Sequence, residues 1–185
     1  RDLHSFPTRR SSDLAICHSH YSLQAGVVAP KAWARAAAER GYSSLALADV
    51  NGLYGAVEFV LAARDCGVRP ILGALLEMEN GGFCTVLVRS AAGYRHLCRL
   101  LTARLTWPRF TMAQAAAAGG IEGLLFLARC PGVLHELAAV VPFEAILGLI
   151  PVSAPAGGQP LLWSALPVGV RPAAITDSWF LAAAD

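Results

Sequence analysis

Cys17-His18-Ser19-His20-Tyr21-Ser22-Leu23-Gln24-Ala25-Gly26 and Ala48-Asp49-Val50-Asn51-Gly52-Leu53-Tyr54-Gly55 are the two stretches whose reading decides the fold of this chain. Each begins where an apolar run gives way to polar and turn-forming residues, and each precedes a helical pattern. Leu14 to His18 predicts a short strand. Ser44 to Ala48 predicts a second, nearly all apolar, as a strand buried on both faces should be. Between them Pro30 to Arg40 predicts a helix, with Pro30 suited to its first turn and Gly41 to its C-terminal stop. Strand, loop, helix and strand again is the repeating unit of parallel β/α folds.

The alternation continues outward. Tyr54 to Cys66 predicts a helix with Val57, Val60 and Leu61 on one face. Arg69 to Leu76 and Phe83 to Val88 read as strands joined by a hairpin turn over Glu77 to Gly82. Ala91 to Leu105 is the clearest helix, its stripe running Tyr94, Leu97, Cys98, Leu101, Leu105. Thr111 to Ala118 predicts a short helix with Thr111 as N-cap. Then come a strand over Leu124 to Ala128, a helix over Val133 to Val140 and a strand over Ala145 to Ile150. A Pro- and Gly-rich loop over Val152 to Pro160, a weak helix over Leu161 to Leu166 and a strand over Ala173 to Thr176 complete the pattern. A β/α barrel is favoured over an open doubly wound sheet. Neither GxGxxG nor GxxxxGK[ST] occurs, so nucleotide-binding α/β folds lose their main support.

Composition agrees with one core-rich domain: 185 residues, 55% hydrophobic and 15% charged. The net charge of +2 decides neither for nor against nucleic acid. No apolar run reaches the roughly 18–20 residues of a membrane span; the run from Val140 to Val152 is broken by Pro142, Glu144 and Pro151. Five cysteines without CxxC spacing read as reduced, mostly buried thiols of a cytoplasmic protein. Residues 1–14 carry no periodicity, and His4 to Leu14 resembles a translated sequencing adapter. They are expected to be a non-native or disordered tail, with a native arm as the alternative, and residues 15–185 a single partial domain.

Read together with Gly67-Val68-Arg69-Pro70-Ile71-Leu72-Gly73-Ala74, Gly93-Tyr94-Arg95-His96-Leu97-Cys98-Arg99-Leu100-Leu101 and Ala174-Ile175-Thr176-Asp177-Ser178-Trp179-Phe180-Leu181, the two opening stretches resemble the PHP (polymerase and histidinol phosphatase) domain. The similarity is to the branch at the N-terminus of the bacterial DNA polymerase III alpha subunit, leaning towards its error-prone paralogue. The resemblance implies a distorted (β/α)7 barrel, incomplete at its C-terminal end. In active members a metal cluster at the strand ends hydrolyses phosphoesters. The ligand positions the resemblance implies fall on Ile16, His18, Ala25, Val50, Leu75, Phe83, Asp177 and Trp179. Only His18 and Asp177 keep a ligand-type side chain, and an apolar side chain offers no lone pair to a metal.

The expected function is therefore a non-catalytic scaffold in replication or error-prone repair synthesis, without cofactor. By the resemblance, Mg would serve a polymerase domain elsewhere in the protein. The partners implied are the remaining polymerase domains, a proofreading subunit and, through the parent, DNA; a membrane is not among them. The competing reading is an active phosphoesterase or 3′–5′ proofreading exonuclease holding Zn or Mn on His18, His20, Asp49 and Asp177. It draws on His18 and His20 standing two apart, which on a strand puts them on one face. A stand-alone interaction protein is the third reading. Asp49 and Asp177 read as local backbone and turn partners rather than a carboxylate pair. Cys17 beside His18 reads as a buried structural thiol. Arg89, Arg95, Arg99, Arg104 and Arg109 surround the Ala91 helix as a solvated face, with phosphate contact as the alternative.

Overall fold

The structure, a computed structural model, describes residues 15–23, 25–79, 81–150, 167–174 and 176–178. The expected tail 1–14, the expected Val152 to Pro160 loop, the expected Leu161 to Leu166 helix and Trp179 lie outside these residues.

The elements run β1 (Ala15–Cys17), α1 (Pro30–Glu39), β2 (Ser44–Val50), α2 (Ala56–Asp65), β3 (Arg69–Glu77), β4 (Phe83–Val88) and α3 (Ala91–Thr106). They continue with α4 (Met112–Gly119), β5 (Leu124–Ala128), α5 (Pro131–Ala138), β6 (Ile146–Ile150), β7 (Arg171–Ala174) and β8 (Thr176–Ser178). The sheet order is β7-β6-β5-β4-β3-β2-β1-β8. β4 lies antiparallel to both β3 and β5, whereas β1–β2, β2–β3, β5–β6, β6–β7 and β1–β8 are parallel. The expected parallel architecture is thus mixed, because the tight β3–β4 hairpin turns one strand round. The two strands at opposite ends of that order, β7 and β8, are separated by a single residue of sequence. β7 and β8 therefore bridge the ends of the sheet, laddering on β6 with four residues and on β1 with three. This is a curled α/β barrel whose closure is incomplete: β6 holds only β7, and β1 only β8.

Alternation along the strands sorts the side chains into three apolar layers. Ile16, Ala46, Ala48, Leu87, Leu127 and Leu149 meet inside the barrel. Cys17, Leu45 and Leu47 face the other way, onto Trp33, Ala34 and Ala37 of α1 and Phe59 of α2. Across the ring, Leu76, Val86 and Phe126 pack under Leu97 and Leu100 of α3 and Leu134 of α5. Burial of each large side chain contributes about 1.5–3 kcal/mol.

Two helices sit differently from their sequence pattern. On α3 the buried set is Gly93, Leu97, Leu100, Leu101 and Ala103, while Tyr94 and Leu105 are exposed. On α2 the buried residues are Ala56, Phe59, Ala62 and Ala63. Val57 and Leu61, expected on an apolar face, point to solvent at 73% and 59% exposure. Phe59, Ala62 and Ala63 fill the face turned to the barrel, and Val57 and Leu61 are left on the other. Caps follow the residue chemistry: Ser90 accepts from the Gly93 amide at α3, and Thr111 from the Gln114 amide at α4.

All five cysteines are free, Cys17 and Cys84 buried and Cys130 exposed. Burial pushes the Cys84 thiol from its ordinary 9.0 up to about 12; a hydrogen bond from Leu127 opposes this and the charge of Glu136 adds to it. A raised thiol pKa favours the folded state fully below pH 9.0, and that contribution is lost as pH climbs towards 12. In native protein at pH 8, a maleimide is expected to modify Cys130 while Cys84 reacts only after denaturant is added; equal rates at the two thiols would contradict the packing described.

Candidate functional site

The β1–α1 loop is built around one carboxylate. β1 ends at Cys17, and the next residues fold back over the end of β2. Asp49, 1% exposed, accepts from the Ser19 amide at 2.6 Å and the Ser22 hydroxyl at 2.8 Å through Oδ1, and from the Ser19 hydroxyl at 2.8 Å through Oδ2. The Ser22 hydroxyl in turn accepts from the Val50 amide at 3.1 Å. A Cβ on Gly26 would run into the Ser19 carbonyl, and one on Gly55 would meet Tyr21 and the Asp49 carboxylate. This is why the two opening stretches carry glycine at those positions.

His18 is fully buried; its Nδ1 donates to the Ala48 carbonyl, and its own carbonyl accepts from Trp33 Nε1 at 2.9 Å. His20 is exposed, on a turn beyond the strand, its ring centroid 4.5 Å from that of Tyr21. The two-apart argument for His18 and His20 does not apply here: the strand stops before either residue, and one ring is buried while the other is exposed. Asp177 stands on β8, level with Ile16 of β1 in the ladder. Among the described residues, no three His, Cys, Asp or Glu side chains are gathered as a metal site would need.

The strands' C-terminal ends open into a cavity of about 810 Å³. Four positions at which the resemblance implies ligands line it: Ala25, Val50, Leu75 and Phe83. Ile16 lies in the barrel's inner layer. Four of the eight implied positions thus meet at one cavity, and they bring methyl groups and a phenyl ring. Donor chemistry of that kind does not fit a metal cluster, which requires lone pairs and negative charge. The cavity's polar lining includes Glu77, Thr85 and Arg129, none of which stood out in the sequence. Period-two counting from Leu75 would have found Glu77, and counting from Leu127 would have found Arg129. Glu77 is engaged: its carboxylate pairs with Arg104 at 3.0 Å, and its amide donates to Asn51 at 3.1 Å.

The arginines expected to form one face around α3 do not act together. Arg104 is held by Glu77, Arg109 reaches Glu79 at 3.8 Å and Arg99 donates to the Gly119 carbonyl. Arg89 lies apart, at the other end of the barrel. No helix among the described residues is long and apolar enough to cross a membrane.

The PHP domain family model matches residues 16–134. The error-prone DNA polymerase of Corynebacterium efficiens is 44% identical over 97 residues, covering 50% of this chain and 9% of that protein. The error-prone DNA polymerase of Pseudomonas fluorescens is 37% identical over 86 residues, 46% of this chain and 8% of that protein. This chain thus spans under a tenth of the length of these relatives. Among solved structures, a two-domain protein of Bacteroides vulgatus containing a predicted PHP-like metal-dependent phosphoesterase is 14% identical with a TM-score of 0.48, over 74% of this chain and 43% of that one. An amidohydrolase of Chromobacterium violaceum is 27% identical with a TM-score of 0.37, over 60% of this chain and 40% of that one.

Proposed function

The chain belongs to the PHP domain family, and on that premise we propose that it is the metal-free PHP domain of an error-prone DNA polymerase, a structural scaffold rather than a phosphoesterase. The observation that carries this reading is the lining of the mouth cavity, where Ala25, Val50, Leu75 and Phe83 occupy implied ligand positions. Placing several cations and a phosphate against such walls would leave charge buried without compensation. Glu77, the carboxylate in that lining, is paired with Arg104, and Asp49, next to Val50, is committed to holding the β1–α1 loop. His18 is held between Ala48 and Trp33 as part of the same frame. Replication or repair synthesis would then be the work of the polymerase as a whole, Mg would belong to its catalytic domain, and the other domains would be this barrel's first partners. A proofreading subunit and DNA are further partners in the same reading, and the cytoplasm its compartment.

Purified chain equilibrated with Zn²⁺ or Mn²⁺ and then dialysed is expected to retain metal far below stoichiometry, with the same content in His18→Ala. Phosphoesterase activity on a generic aryl phosphate should stay at the level of buffer. Stoichiometric metal, with hydrolysis abolished by His18→Ala, would establish the enzyme instead.

A further inference from the structure

At the end of the barrel opposite the mouth, β3 and β4 part company. Their ladder begins only at Gly73 and Leu87, so Arg69 to Leu72 have no partner on β4. The gap opens into a groove of about 620 Å³ whose floor includes Ile71, Leu87 and Leu125. Arg64, Arg69 and Arg89 stand around it, all exposed, and no carboxylate lines it. None of the three guanidinium groups makes an ion pair or side-chain hydrogen bond among the described residues. Arg64 ends the outward face of α2. Val57, Leu61 and Arg64 follow one another on a single helical stripe, and Tyr54, 68% exposed, precedes it. This strip therefore leads from exposed apolar side chains to three arginines without an ion pair among the described residues, with Glu58 and Asp65 at its flank.

Ordinary amphipathic helices put branched apolar residues inward; α2 does the reverse. A contiguous apolar strip beside a charged groove marks a surface that another polypeptide covers. A second copy of this chain fits poorly, because a two-fold contact would gather six arginines into one interface with only Glu58 and Asp65 of each copy to offset them. A nucleic acid strand would find phosphate partners in the groove, but along α2 it would meet the apolar Val57 and Leu61 flanked by the carboxylates of Glu58 and Asp65. We propose that this surface is the docking site for an acidic segment with apolar anchors, supplied by the longer polymerase polypeptide. The inference rests on the proposed function above. The polymerases matched carry over nine-tenths of their length outside the region shared with this chain, so ample polypeptide exists to supply such a segment.

The test compares hydrogen exchange in the 185-residue chain with exchange in the full gene product. Amides of α2 and of residues 69–72 are expected to exchange at least about tenfold more slowly in the full product. The triple variant Arg64→Glu, Arg69→Glu, Arg89→Glu should lose that protection while the 185-residue chain melts at an unchanged temperature. A longer product with no protection of this surface overturns the docking site and leaves the scaffold reading intact. Protection of the same amides in the 185-residue chain by a single-stranded oligonucleotide also overturns it, in favour of nucleic acid. A gene product that ends at Asp185 overturns the polymerase reading and this docking site with it.

Discussion

Asp49→Ala is expected to destabilise the folded chain by about 3–5 kcal/mol, the scale of breaking a buried charged hydrogen-bond network. The carboxylate satisfies the Ser19 amide and two buried hydroxyls at once. Alanine leaves all three donors in a place water does not reach, since Ser19 and Ser22 are both fully buried. The β1–α1 loop would then lose its attachment to β2 and release its hold on Trp33. Asp49→Asn keeps one acceptor oxygen and should lose less. Urea unfolding with an unchanged slope measures both. A loss under about 1 kcal/mol for the alanine variant would show that the loop does not depend on this carboxylate.

Gly93→Ala is expected to cost about 3 kcal/mol, at the upper end of overpacking penalties. The first turn of α3 lies against the backbone of Gly123, and a Cβ at position 93 would run into the Gly123 carbonyl. Neither group is the flexible end of a side chain, so α3 or the start of β5 must move. Gly41→Ala is the control: its site is open, but its φ of +74° costs an L-residue about 1 kcal/mol. If the two variants melt together, backbone contact at Gly93 is not the reason for glycine there.

The sequence announced the strands well. β4 and β5 have the expected limits, and β2 is longer by Asp49 and Val50. Apolar runs between turn residues are a local signal, and local signals survive folding. Which face a helix buries is not local. The α2 stripe of Val57 and Leu61 obeys the helical period, yet the face turned to the barrel is that of Ala56, Phe59, Ala62 and Ala63. The direction of β4 was likewise implicit in its short hairpin and was outweighed by the β/α alternation around it. For the site, the implied ligand positions were named from resemblance, and the structure collects four of them at one cavity. Its polar companions Glu77 and Arg129 escaped because a charged residue at a strand end looks like any other until the strands are arranged in a ring. The pairing of His18 with His20 failed for a plainer reason: β1 ends at Cys17, so both histidines stand beyond the strand and the two-apart rule does not reach them.

The bridging strands β7 and β8 also set the timetable on which the two ends of the sheet can be joined. β1 emerges first during synthesis, yet its second neighbour, β8, is among the last described residues to be made. At about 5–20 residues per second, the nascent chain spends many seconds as an open, curved sheet with β1 and β6 each exposing an edge. Joining ends so far apart in the chain also carries a large loop-closure entropy and slows the final step. Through that interval, unpaired edges on both sides invite pairing with other chains. The clasp that links the two ends of the sheet is therefore where a chaperone or a crowded ribosome would have its greatest influence on yield.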